Sequence, residues 1–249
     1  MKDTFGDRMK RYEAVTDIKL TNLTPVIIRV DGKAFHTLTH RLDKPYDTAF
    51  ADAMKSTMWH LVRTIQNCVF GYVTSDEISL LLIEPTEYSD SYFDNRLNKL
   101  VSIAAAEAST FFRDVMSNTY NAKRDQKYAP LACRAIFDAR AFNIPKHEVV
   151  NYFIWRQQDC LRNAVAGAGQ ANFSQKELNG LHSDKIIEKL KSDKNIDFYK
   201  DYPSEFIWGR IACRVPIEMQ SEFFTDATIT APDFKEDRNI IASVLPEYL

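Results

Sequence analysis

Residues 68–83, CVFGYVTSDEISLLLI, set two adjacent acids, Asp76 and Glu77, between two apolar runs. Runs of that length, rich in β-branched and aromatic residues and split by a short polar break, read as the two strands of an antiparallel hairpin. A carboxylate close to a buried sheet is costly without a cation beside it. These acids therefore either face water at an ordinary turn or hold a metal.

Upstream, TPVIIRV (24–30) is a β-branched run that ends at Asp31-Gly32, a strand leading into a turn. Between it and the hairpin, Phe50, Met54, Met58, Leu61 and Ile65 recur every three or four positions and predict a helix with one stripe on a sheet. Downstream, a helix is expected over about Asp94 to Val115, with a polar, irregular stretch from Ser117 to Pro130. CRAIFDARAF (133–142) then reads as a strand, and residues 145–165 as a helix with Pro145 near its first turn and Val149, Phe153, Leu161 and Val165 on its apolar side. The order β-α-β-β-α-β is the split arrangement of ferredoxin-like and polymerase-palm sheets, an α+β fold. Further on come a short helix near Asp184 to Lys191, a strand in FIWGRIACRV (206–215) and a polar tail. The expected organisation is a palm-like core, 1–145, with a helical and β extension, 146–249, packed on it as one compact domain.

With 249 residues, 45% of them hydrophobic and 27% charged, the chain is long enough for one large core. The net charge of −2 gives no global attraction for nucleic acid, so a polyanion would need a local basic patch or bound metal. Cys68, Cys133, Cys160 and Cys213 are widely spaced and read as reduced, mostly core thiols. The first residues lack the apolar stretch of a leader, and no run approaches the roughly eighteen apolar residues of a membrane span. The expected location is the cytoplasm, with no membrane partner.

If the first strand lies beside the hairpin, Asp31 and Asp76 come to one end of one sheet. Either turn alone is ordinary turn chemistry, since D-G and S-D are common turn dipeptides. Together, two carboxylates and the Gly32 carbonyl suit a pair of Mg2+ ions that carry a nucleoside triphosphate, because magnesium prefers oxygen ligands and keeps waters that phosphates replace. Gly32 permits a tight turn and close approach of a triphosphate. Lys33 and Lys44 flank the first acid turn, and Arg96 and Lys99 share a helix face; these are candidate phosphate partners. Arg156, Asp159 and Asn163 form a polar stripe facing a cleft or simply the wet side of the helix. His36 and His40 lack partners at zinc-ligand spacing and suit structural or nucleotide contacts. Trp155, Phe142 and Phe137 read as core.

Taken in order, RVDGKAFH (29–36), KPYD (44–47), GYVTSDEISLLL (71–82), FDNRLNKLVSIAA (93–105), FDAR (137–140) and YFIWRQQD (152–159) resemble the tRNA-histidine guanylyltransferase superfamily. The resemblance implies a palm-like enzyme that adds nucleotides to the 5′ end of tRNA in the 3′-to-5′ direction, with two Mg2+ ions, GTP or another NTP, and ATP, as a homotetramer. It implies Asp31, Gly32 and Asp76 as metal ligands and Asp31, Asp76 and Glu77 as catalytic acids. Nucleotide contacts would come from Asp31, Gly32, Lys33, Ala34, Phe35, His36, Lys44, Asp47, Ser75, Asp76, Arg96 and Lys99. RNA contacts would come from Arg156, Asp159, Asn163, Lys185 and Arg210. Members dedicated to the histidine tRNA carry HINNLYN after the WRQ-x-D-x segment, where this chain has LRNAVAG from Leu161. That departure points to the guanylyltransferase-like branch, which repairs truncated tRNA 5′ ends, over strict addition of a single G. A palm-type nucleotide cyclase and a non-catalytic tRNA-binding module are the readings from other classes.

Overall fold

The computed structural model describes residues 4–86, 88–214 and 229–247. Helix α1 (Phe5–Ala14) precedes strand β1 (Val26–Gly32), the short helix α2 (Phe35–Leu38) and helix α3 (Thr48–Thr64). The hairpin β2 (Cys68–Thr74) and β3 (Glu77–Leu82) follows, then α4 (Leu97–Lys123), α5 (Ala129–Arg134), β4 (Phe137–Asn143) and α6 (Lys146–Asn172). Short helices α7 (Gln175–Leu178), α8 (Ser183–Lys194), α9 (Phe198–Asp201) and α10 (Ser204–Trp208) lead to β5 (Arg210–Cys213), β6 (Ile229–Thr230) and α11 (Asn239–Ala242). The sheet runs β4-β1-β3-β2-β5-β6, with every pair antiparallel. This is the expected mixed fold, with the strand after the long helix laid against β1.

Residues alternate across the sheet, so its two faces bury two different sets. Val26, Ile28 and Val30 of β1 pack with Met54, Met58 and Leu61 of α3 and Leu100, Ala104, Ala108 and Phe112 of α4. Ile27, Phe70, Tyr72 and Leu81 face Val149 and Phe153 of α6 and Ile241 of α11. A third cluster joins the far half of α6 (Val165, Ala168) to Leu190 of α8 and Ile207 of α10.

Three expected boundaries shift. The stretch read as irregular from Ser117 is helical to Lys123, because Met116 is buried and Tyr120 packs on the core, and neither Pro nor Gly stops the helix before Arg124 turns left-handed. The strand read from Cys133 begins at Phe137, since residues 129–134 form α5. Helix α6 runs on to Asn172, about 40 Å in all. The last residue of the stretch read as a strand, 215, lies outside the described residues.

Candidate functional site

The β2–β3 hairpin closes with Thr74 opposite Glu77, leaving Ser75 and Asp76 as a two-residue loop with Ser75 in the left-handed region. Beside it, Asp31 pairs with Glu77 across β1 and β3, and the Gly32 N–H donates to the Asp76 carbonyl at 3.0 Å. The two acid turns are thus joined through the backbone at one end of the sheet. The Lys33 N–H donates to Ile136 (2.8 Å), and Ala34 is left-handed. A Cβ on Gly32 would lie 2.5 Å from the Phe35 ring. What demands glycine here is therefore the close approach of that ring rather than of a phosphate. Phe35 is buried against Phe50, Phe112 and Phe137, so it pins the turn from beneath.

An open cleft of about 490 Å³ adjoins this edge, lined by His36, Lys44, Asp47, Ser75 and Asp76 on one side and Asn163, Gly167 and Gln170 of α6 on the other. It continues past Asn163 and Gly167 into a deeper pocket of about 190 Å³. There the Tyr46 hydroxyl donates to Glu205 (2.6 Å), whose other oxygen pairs with Arg210 (2.5 Å). Burial and the Glu205 carboxylate push the Tyr46 hydroxyl well above its ordinary pKa.

The two adjacent acids of the hairpin part ways. Burial pushes the Asp76 carboxyl up, and the negative charge of Asp31 adds to the rise while His36 opposes it. Glu77 lies on the α6 face, where it accepts from Arg156 Nε (2.6 Å) and Nη2 (2.7 Å), with Arg29 at 3.8 Å. Burial raises its carboxyl as well, against the pull of both guanidiniums. Glu77 is therefore a neutralised anchor between sheet and helix, and Asp76 a charge at the mouth of a cleft.

Other expected contacts divide in the same way. Asp47 is buried as the N-cap of α3, accepting from the Phe50 N–H (3.0 Å) and Tyr128 hydroxyl (3.3 Å), with Lys127 at 3.5 Å. Its carboxylate holds the cleft wall. Lys44 is exposed at the cleft, its ammonium 3.4 Å from the Thr39 carbonyl. Arg96 and Lys99 are not brought to the acids. They line a separate hollow with Asn22 and Asp90, where Arg96 pairs with Asp17 and Lys99 lies over Phe93. The helix carrying them starts beyond the Leu82 end of β3, a strand length of roughly 17 Å from Glu77.

Of the expected RNA contacts, Arg156 is buried between Glu77 and Asp159, Asp159 also pairs with Arg162, and Arg210 lies inside the deeper pocket. Asn163 is exposed at the cleft, and Lys185 is exposed on α8 beside Glu188 (2.7 Å). Trp155, read as core, is 47% exposed; Phe137 is buried and Phe142 packs beneath α6 as expected. Cys68 and Cys160 are buried, whereas Cys133 is exposed. No described helix is long and apolar enough to cross a membrane. Sequence reasoning missed the Tyr46–Glu205–Arg210 network, whose members carry no shared spacing. It also missed the Glu77–Arg156 pair, although the cost of a buried carboxylate called for such a cation.

The family model described as tRNAHis guanylyltransferase matches residues 6–145. Among similar proteins, uncharacterized protein R259 of Acanthamoeba polyphaga mimivirus is 31% identical over 79% of this chain and 72% of its own. The tRNA(His) guanylyltransferase of Debaryomyces hansenii is 27% identical over 92% of this chain and 82% of its own. A bacterial tRNA(His) guanylyltransferase-like protein solved in complex with ATP superposes with a TM-score of 0.85 at 36% identity, covering 98% of this chain and 99% of the other. One solved in complex with GTP gives 0.77 at 32% identity, covering 99% and 100%. The match over more than half the chain, with the same fold end to end, means that this chain belongs to the tRNAHis guanylyltransferase family of nucleotidyltransferases.

Proposed function

We propose that the chain extends the 5′ ends of truncated tRNAs in the 3′-to-5′ direction, copying the opposite strand of the acceptor stem. The observation that carries this reading is the joining of Asp31 and Asp76 at one sheet end, at the mouth of a cleft large enough for a nucleotide. Similar bacterial proteins solved with ATP and with GTP support nucleoside triphosphates as its ligands.

The donor set fits magnesium. It is all oxygen, two carboxylates and a backbone carbonyl, and the carboxylates repel each other across a partly buried edge, a repulsion that a cation offsets. Such a site leaves ligand positions for water and phosphate, as Mg2+ requires. Asp31, Asp76 and the Gly32 carbonyl would hold it. When bound, the metal lowers the pKa of an attacking hydroxyl and neutralises charge on the leaving group.

The chain's own residues then do the positioning. Lys44 and His36 face the triphosphate, Asn163 and Gln170 form the opposite wall, and the Asp47 cap and the Phe35 ring keep the cleft in shape. The Glu77–Arg156 pair fixes the hairpin to α6, so Asp76 stays aimed at the cleft. The 3′-hydroxyl of the incoming NTP attacks the α-phosphorus of a tRNA 5′ end carrying an adenylyl group or a triphosphate, and AMP or pyrophosphate leaves.

Repair is favoured over addition of a single G to the histidine tRNA by Leu161. It stands where dedicated members carry histidine, and it is packed into the cluster between α6 and α8. The test is incubation of a 5′-truncated, non-histidine tRNA with NTPs and Mg2+. The parent protein adds several templated nucleotides, and Asp76→Ala slows this by about a thousand-fold, the several kcal/mol of a lost metal ligand. Equal extension by Asp76→Ala would remove the metal assignment. A single G added to histidine tRNA alone would restore the dedicated reading.

A further inference from the structure

Strand register sorts the α6 face of the sheet into rows, because residues directly opposite one another share a face. Phe142, Ile27 and Leu81 form one row; Arg140, Arg29 and Ser79 the next; Asp138, Asp31 and Glu77 the last. Helix α6 crosses these rows. Tyr152 packs on Phe142 (ring centroids 5.9 Å) and hydrogen-bonds Ser79 (2.9 Å), and Arg156 reaches Glu77. Trp155 lies between these two contacts, its ring edge-on to Tyr152 at 5.9 Å with the Arg156 guanidinium 4.5 Å from its centroid.

This tryptophan is held, yet nearly half of it is in solvent. The row of the sheet that α6 crosses between its Tyr152 and Arg156 contacts carries cations. Arg140 is half exposed and contacts Asp138 at 3.5 Å, whereas Arg29 is mostly buried, its Nε 3.8 Å from Glu77 and without a hydrogen-bond partner among the described residues. An immobilised, half-exposed indole above a row that ends in an exposed arginine suits single-stranded nucleic acid: bases stack on the ring, and a phosphate takes the guanidinium. The acids begin one row further, at Asp31.

We propose that Trp155, with the exposed Arg140 of the row that α6 crosses, is a platform on which an unpaired base of the RNA substrate stacks, leading its 5′ end to the Asp31 row. The RNA thus arrives over the β1–β4 face while the nucleotide occupies the cleft beyond Asp76. This rests on the RNA-extension reading above and adds to it the route of the strand. Charge complementarity with phosphate selects RNA over an apolar partner for this surface.

The experiment measures binding of 5′-truncated tRNA to the parent, Trp155→Ala and Trp155→Phe by quenching of tryptophan emission and by retention on filters, with Mg2+-GTP binding measured alongside. Trp155→Ala should weaken RNA binding by roughly ten-fold or more, the usual loss on removing one stacked ring. It should raise KM for RNA more than it lowers kcat and leave GTP binding unchanged, while Trp155→Phe keeps most of the affinity. Arg140→Ala should reduce the salt dependence of binding by roughly one phosphate contact. If the parent binds RNA and Trp155→Ala binds it equally well, the platform is wrong while the extension reading stands. If the parent binds no truncated tRNA, both fall.

Discussion

At the tip of the β2–β3 hairpin Asp76 faces an open cleft with another carboxylate, Asp31, as a charged neighbour, while one residue further Glu77 is enclosed by two guanidiniums. Both acids are partly or wholly withdrawn from water, and burial raises both carboxyls. The difference lies in where compensation comes from. Glu77 has its cation within the fold, so it contributes shape; Asp76 makes no ion pair among the described residues and His36 offsets its burial only weakly, so a cation from outside has a place to bind. Two neighbouring acids thus serve structure and chemistry separately, because Glu77 is the first paired residue of β3 and lies under α6 while Asp76 belongs to the loop at the cleft.

The largest effect that would sharpen this contrast is on stability. Arg156→Ala leaves Glu77 buried with only the more distant Arg29, at 3.8 Å, beside it, which costs about 3 kcal/mol and lowers Tm by about 10 °C. A double variant, Arg156→Met with Glu77→Leu, should recover most of that loss, since a well-packed apolar pair avoids the desolvation cost. Thermal melts of the three proteins check this. If Arg156→Ala melts with the parent, Glu77 is not the anchor described.

A smaller effect runs the other way for Asp76. Because its folded-state pKa is raised, the folded protein holds that proton more tightly than the unfolded chain, so stability falls as pH rises from the ordinary carboxylate range through the raised value. Asp76→Asn removes the ionisation. Without metal, its Tm should match the parent in acid and exceed it at neutral pH, by much less than the Arg156→Ala loss. A variant less stable than the parent at neutral pH would mean that the Asp76 charge is already paired inside the fold.

Much of this was legible in the residues. The apolar runs around Ser75-Asp76-Glu77 and before Asp31-Gly32 specify strands, and short connections favour neighbouring pairs, so the meeting of the two turns followed from local pattern. Helix ends were read less well: Met116 and Tyr120 hold the last turns of α4 by tertiary packing that no local breaker signals. Arg96 and Lys99 follow the hairpin closely in sequence but sit a strand length away, because β3 carries the chain to the other end of the sheet before α4 starts. Arg156 and Trp155 show the same limit in reverse. Their spacing marks a polar and an apolar position on one helix, and only the register of the sheet beneath decides that the charge goes inside and the indole outside.

Calorimetric titration of GTP with and without Mg2+ into the parent, Asp76→Asn and Glu77→Gln separates a magnesium site on Asp31 and Asp76 from one that includes Glu77. GTP should bind the parent in a Mg2+-dependent way, lose that dependence in Asp76→Asn, and keep it in Glu77→Gln under conditions where that variant is folded. Undiminished Mg2+ dependence in Asp76→Asn would contradict a magnesium site on Asp31 and Asp76.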